Sequence, residues 1–332
     1  MSRPVLSAVL LSATLALTAC GHAGAGAGAA SPATAGDAYP VTVKNCGAEV
    51  TFAAPPERVV LLKSASVPFL RELDVLDRVT ARAGQYPAGY YDEDTRAELD
   101  EIPLLTDRTD TAGHLQISRE TVIGQEPDLV VGEVDNLSRG SLAAVGIPLL
   151  EEPGLCDEGL ADPGFDDVEE QLRTYGRVFD RPEQAEAAVV DLRARVRAVE
   201  DRVGAGSGLS AAVLYPTVGG GTTYAYGTRS MAQPQLEAAG LENVFGNVDE
   251  RVFEVTLEEL LGRDPDVLVL LHGDGDPAAV EAAVADLPGA ERLTALREGR
   301  VVTQLFNFTE PPTPLSVTGL ENLVDRLEEV AP

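Results

Sequence analysis

The chain has 332 residues, with 25 basic side chains against 54 acidic ones and a formal net charge of −29 at neutral pH. So acidic a surface argues against nucleic acid, phosphate-rich ligands and anionic lipid headgroups as partners. It leaves the lining of a cleft open, because overall charge says little about a local concavity.

At the amino terminus, Arg3 supplies a positive n-region, and "VLSAVLLSATLAL" is an apolar stretch too short for a comfortable membrane span. It ends in "LTAC", Leu17 to Cys20, the pattern of a bacterial lipoprotein signal. Residues 1–19 therefore read as the signal peptide, and Cys20 as the lipidated first residue of the mature chain. Loss of Arg3 with the signal makes the mature chain more acidic still. Residues 20–38, which include "GHAGAGAGAASPATAGDA", have no apolar periodicity and read as a flexible tether. No later segment is long and apolar enough to cross a membrane, so the lipid anchor is the expected membrane contact. Roughly 290 residues remain, enough for two lobes of ordinary size.

Two further cysteines, Cys46 in "VKNCG" and Cys156 in "PGLCDE", make an even pair outside the lipidated one. In an oxidising exterior such a pair is most simply a disulfide. Their separation, without local histidines, fits none of the usual zinc spacings, and no metal site or cofactor is expected.

"PERVVLLKSA" (Pro56 to Ala65) contains a buried-strand run, and "VPFLRELDVLDRVTARAG" reads as helix followed by strand. "LQISRETVIGQEPDLVVGE" is a helix that Ser118 can cap and that Gly124 to Pro127 stops, delivering into a strand. "SLAAVGIPLLEEPG" repeats the rhythm. From Phe165 to Val203 the strand signal vanishes. Pro182 opens a helix whose apolar stripe is Ala185, Ala188, Val189, Leu192, Val196 and Val199. "AAVLYPTV" then starts a second alternating stretch, with helices from about Gln233, at Leu257, at Pro277 and from about Ser316, and strands at Val267 and Val301. Strands alternating with short helices indicate mainly parallel sheet. The expectation is an α/β fold of two Rossmann-like lobes, 39–166 and 209–332, with a helical segment at 167–204 and a ligand cleft between the lobes.

"ISRETVIGQEPDLVVG" (Ile117 to Gly132) and "VTLEELLGRDPDVLVL" (Val255 to Leu270) are in register over their whole length. They share Glu120/Glu258, Gly124/Gly262, Pro127/Pro265, Asp128/Asp266 and Val131/Val269. With the lipoprotein signal, the lobe–helix–lobe layout and "AAGLENVF" (Ala238 to Phe245), these paired segments resemble the helical-backbone class of substrate-binding proteins. That class serves bacterial ABC importers of ferric siderophores, haem and cobalamin. The resemblance runs from about Tyr39 to the end. It implies that Glu120 and Glu258 dock into arginine pockets of a permease dimer, where a carboxylate on a helix's first turn can meet a guanidinium bidentately. The protein itself is expected to be a monomer. Where the family often carries Thr-Glu and then Gly around its first helix, this chain has Val67-Pro68 and Asp74.

Enzymatic motifs are missing. "GGGTTYAYG" lacks the Lys-Ser/Thr of a phosphate loop, "HGDGDPAAVEAAV" departs from the calcium-loop pattern, and nothing forms a nucleophile elbow. Ligands of α/β lobes sit at the carboxyl ends of strands. Those ends supply Lys63, Ser64, Tyr86, Tyr90, Tyr91, Glu133 and Asn136 in the first lobe. In the second they supply Tyr215, Tyr224, Tyr226, Arg229, His272, Phe306, Asn307 and Phe308. Six of the eight tyrosines lie in these loops, giving flat, semi-polar walls suited to a bulky organic chelate. With Lys63 and Arg229 as the candidate cleft cations, a neutral or cationic ferric hydroxamate fits better than a trianionic catecholate. Haem, through His114 or His272, is the second reading, and a cobalamin or other cofactor precursor the third. A surface interaction protein that kept the fold and lost transport is a separate class, against which the paired glutamates and clustered tyrosines argue.

Overall fold

The computed structural model describes residues 39–110 and 114–330. The signal peptide, the lipidation site at Cys20 and the tether lie outside the described residues. An antiparallel hairpin, β1 (Val41–Asn45) and β2 (Ala48–Phe52), comes first, turning Val43, Val50 and Phe52 inward. The sequence reading, which starts its strands at Pro56, does not contain it.

The first lobe continues with β3 (Val59–Leu61), α1 (Val67–Glu72), β4 (Val79–Arg82), α2 (Glu93–Glu101), α3 (Arg119–Ile123), β5 (Leu129–Val131), α4 (Arg139–Ala143) and β6 (Leu149–Leu150). Its four strands pair in parallel in the order β4-β3-β5-β6. Successive residues of "VVLL" go to opposite apolar layers, Val59 and Leu61 to one, Val60 and Leu62 to the other. A parallel sheet covered on both faces needs such unbroken apolar runs.

Two helices follow, α5 (Phe165–Val178) and α6 (Pro182–Val203). The α6 stripe is shared between two cores: Ala185, Ala188, Val189 and Leu192 pack in the first lobe's, Val199 in the second's, and Val196 against both. This is the connecting helix, and each end is buried in a different lobe.

The second lobe comprises β7 (Ser210–Pro216), β8 (Thr223–Tyr226), α7 (Ala232–Ala238), β9 (Glu242–Asn243), β10 (Val252–Val255), α8 (Leu257–Arg263), β11 (Val267–His272), α9 (Pro277–Ala285), α10 (Thr294–Arg297), β12 (Val301–Leu305) and α11 (Pro314–Val330). Its sheet runs β10-β8-β7-β11-β12, with β9 beside the start of β7. β8 and β10 are antiparallel additions, and the rest is parallel. The final helix lies along α6, where Arg195 meets Glu321 with two hydrogen bonds of 2.9 and 2.7 Å.

The repeated segments occupy equivalent places. Ser118 and Thr256 cap α3 and α8 by accepting the Thr121 and Glu259 amides. Glu126 and Asp264 both take left-handed φ, 50° and 42°, where the chain turns out of the helix. The Asp128 carboxylate then accepts the Glu57 and Arg58 amides at 2.8 and 2.9 Å, and Asp266 accepts the Ser210 amide and hydroxyl at 2.9 Å each. These bonds tie each repeat to the start of the neighbouring strand, and the registers match, Val59 opposite Leu129 and Ala211 opposite Val267. Asp74 after α1 also has a positive φ, 55°, a backbone conformation that glycine takes most readily.

Candidate functional site

Each sheet has one place where the chain crosses to the other side of its first strand, between β3 and β5 and between β7 and β11. Loops diverge at the carboxyl ends of such strand pairs and leave a crevice. A cavity of about 440 Å³ lies at the first of these, bordered by Lys63, Ser64, His114 and Glu133 of the first lobe and by Phe306 and Asn307, which follow β12, of the second. An adjoining hollow of about 680 Å³ shares Lys63 and Glu133 and extends past Arg139 and Glu151 to Cys156 and Glu158. Another, of about 720 Å³, is bordered by Gly89, His272, Leu305 and Phe308.

Lys63 is committed. Its Nζ donates to Glu151 Oε2 at 2.5 Å, and that carboxylate, 2% exposed, also accepts the Glu133 and Glu152 amides. The backbone of Glu151 exchanges two hydrogen bonds with the Asn45 side chain, 2.7 and 2.8 Å, and Arg139 donates to Asn45 Oδ1 and to the Leu149 carbonyl. Cys46, the next residue, bonds to Cys156, with Cα atoms 5.3 Å apart, so the β1–β2 hairpin is fastened to this wall covalently as well. Arg229, the other candidate cation, donates to the carbonyls of Glu158 and Leu160 at 3.1 and 3.4 Å, across from the other lobe. Both candidate cations therefore have partners within the protein.

Glu152 points away from the cavity into the first lobe. It accepts the Tyr175 hydroxyl at 2.7 Å and the Gln171 amide at 3.2 Å, and burial pushes its carboxyl up to about 8. The same burial, with the Glu152 charge beside it, pushes the Tyr175 phenol well above its ordinary value.

The predicted aromatic residues come together in two groups. In one, Tyr215 and Tyr226 both meet the Phe306 ring, at 5.9 and 6.5 Å between centroids. In the other, Tyr90 packs against Tyr91 and against Phe308, at 5.9 and 5.5 Å. Several are turned inward. Tyr86 donates to the Leu61 and Ala83 carbonyls under the Arg82 guanidinium, Tyr91 donates to the Ser64 carbonyl, and Tyr90 Oη accepts the Asn307 amide at 3.0 Å. Burial raises the phenols of Tyr86, Tyr90, Tyr91 and Tyr226 above the usual range, which keeps them protonated. Tyr224 and Tyr226 lie on β8 rather than on a loop, and only Tyr224 is exposed. The Asn307 side chain donates to Ser64 Oγ at 3.1 Å, and that of Asn136 to the Ile117 carbonyl at 2.7 Å. His114 Nδ1 lies 2.7 Å from Asp135 Oδ2, and His272 is buried with Nδ1 3.3 Å from the Asp274 carbonyl.

Asn45, Arg139 and Glu151 escaped the sequence reading. The available signal was "LLEEPG", two acids directly behind a buried strand at its carboxyl end. Glu120 and Glu258 each occupy the second position of their helix, and both are exposed. Among the described residues no group of histidine, cysteine and acidic side chains could hold a metal ion, and no helix is long and apolar enough to cross a membrane.

Two α/β lobes joined by one helix, with hollows bordered by loop residues of both, define a solute-binding architecture. The family model described as periplasmic binding protein matches residues 59–304, and the chain belongs to that family, one of solute binders rather than enzymes. A solved structure described as an ABC-type Fe3+-hydroxamate transport system from Saccharomonospora viridis is 57% identical, with a TM-score of 0.83 over 87% of this chain and 99% of that one. A cobalamin-binding protein of Halobacterium salinarum is 28% identical over 96% of this chain and 83% of its own. A periplasmic haem-binding protein from Pseudomonas aeruginosa, 20% identical with a TM-score of 0.67 over 83% of this chain and 94% of that one, shares the fold.

Proposed function

We propose that this chain is the extracytoplasmic capture component of an ABC importer for a ferric hydroxamate siderophore. The observation that carries the reading is the 57% identity, over nearly the whole of the other chain, to the Fe3+-hydroxamate transport protein of Saccharomonospora viridis. The cleft chemistry agrees. A trianionic catecholate would require free cations, and Lys63 and Arg229 are already engaged by Glu151 and by main-chain carbonyls. An uncharged or cationic chelate needs aromatic surface beside a few polar groups, and Phe306 offers such surface at the cavity border, next to Ser64 and Asn307. Cobalamin is the second reading, supported by the relative from Halobacterium salinarum. Haem is the third, resting on His114 beside the cavity.

Cys20 carries the lipid that holds the protein at the membrane, and Glu120 and Glu258 dock the two lobes on a permease dimer. Both glutamates stand free of the core at matched positions of the repeat, where a partner's guanidinium can reach them. Uptake of radio-iron as ferric hydroxamate by cells carrying Glu120→Ala with Glu258→Ala tests delivery. Uptake should vanish while the purified variant binds chelate as tightly as the wild type. A loss of affinity would place these carboxylates in the ligand site instead.

A further inference from the structure

Asn307 bonds twice across the cleft. Its side-chain amide donates to Ser64 Oγ at 3.1 Å and its backbone amide to Tyr90 Oη at 3.0 Å. The Phe308 ring stands edge-on to Tyr90, 5.5 Å between centroids at 70°, and Tyr91 holds Ser64 from behind by donating to its carbonyl. Asn307 and Tyr90 are 6% and 7% exposed, so water competes poorly for these bonds. Ser64 stands shortly before α1 and Asn307 shortly before α11, and both helices pack against the connecting helix α6. The seam therefore ties the starts of two helices that already flank the joint. Nearby the lobes touch without slack: a Cβ on Gly154 would lie 2.7 Å from Pro312 and 3.1 Å from Pro311.

We infer that Ser64, Tyr90 and Asn307 are positioning residues, a side-chain seam that holds the two lobes at the separation the cavity needs, in addition to the connecting helix. The Asn307 side-chain and backbone amides and the Ser64 hydroxyl and carbonyl each have a partner inside the protein. The consequence is a preformed cleft, so that ligand binding bears little cost of bringing the lobes together. The inference rests on the reading of the chain as a two-lobed solute binder, but its test uses no ligand.

Amide hydrogen exchange of the ligand-free, full-length protein and its Asn307→Ala and Ser64→Ala variants tests it. Asn307→Ala should accelerate exchange around Leu62 to Ala65 in the opposite lobe. Ser64→Ala should do the same around Phe306 to Glu310, in each case about two- to tenfold, the range set by losing one net hydrogen bond. Ser64→Thr, which keeps the hydroxyl, should match the wild type, and the interior of β11 should be unaffected in all variants. Acceleration confined to the substituted lobe, or a Thr variant indistinguishable from the Ala variant, would overturn the inference. Failure of every chelate to bind would instead defeat the transport reading and leave this result standing.

Discussion

Glu152 shows how far one residue can be moved from its solution chemistry. Burial raises its carboxyl from an ordinary acidic value to about 8, so the folded protein holds a proton that the unfolded chain releases near 4.5. A raised carboxyl stabilises the folded state fully below the unfolded value, and that contribution is lost as pH climbs toward the folded one. Between about 4.5 and 8 the wild type should therefore lose stability with rising pH through this group. Glu152→Gln, which keeps the shape and a carbonyl acceptor for Tyr175, should melt higher than the wild type at pH 8, by about 2–4 °C per kcal/mol recovered. The advantage should shrink below pH 5, and a constant difference across the range would show that Glu152 does not titrate in this window. Cys46 and Cys156 act at the same scale through the unfolded chain. Their bond closes a loop spanning 110 residues. Its removal by Cys156→Ser should cost about 4–5 kcal/mol in urea unfolding on the chain-entropy account. An unchanged midpoint and slope would refute that.

At the scale of elements, the repeated helix–turn–strand unit is explained by Asp128 and Asp266. Each takes two hydrogen bonds at the entry to the adjacent strand, Asp128 from the two residues just before β3 and Asp266 from the first residue of β7, and so sets the pairing of β3 with β5 and of β7 with β11. Asp128→Ala and Asp266→Ala should each destabilise by about 1–3 kcal/mol, the range for hydrogen bonds to a charged acceptor. Because they sit in different lobes and share no partner, the double variant should lose close to the sum. A double loss no larger than one single loss would mean that the two units are not independent anchors. The unbroken apolar runs at Val59, Leu129, Val267 and the α6 stripe made the parallel sheets and the connecting helix legible in the sequence. The antiparallel β8 was not legible, because "GGGTTYAYG" offers glycines and only a short alternation before its pairing with β7 and β10 is known. Of the residues named from loop-end types, Lys63, Ser64, Phe306 and Asn307 border the 440 Å³ cavity. Their partners were hidden, because Glu151 reaches Lys63 from another strand and the Glu158 carbonyl reaches Arg229 from the other lobe. Long-range pairings of this kind leave no trace in local spacing.

At the scale of the whole molecule, two similar lobes share one helix and meet across the Ser64, Tyr90 and Asn307 contacts, and the acidic exterior leaves the interior free to set its own selectivity. Cys20→Ser should release the protein from the membrane fraction, and continued co-sedimentation with membranes would contradict lipid anchoring there. The preformed cleft predicts that affinity comes from aromatic surface and a few polar contacts rather than from a large closure. Tyr224 is the exposed one among the six tyrosines predicted for the ligand site, and Tyr224→Ala should weaken chelate binding by about 1–3 kcal/mol, whereas unchanged affinity would remove it from the site. The central claim is tested most directly by calorimetric titration of the ligand-free protein with a ferric trihydroxamate, a suitable probe for a chain without tryptophan. One-to-one binding at micromolar affinity or tighter, roughly −8 kcal/mol or stronger, is the result predicted. No heat with the ferric hydroxamate, alongside tight binding of cobalamin, or of haem with a histidine-ligated spectrum lost in His114→Ala, would contradict it.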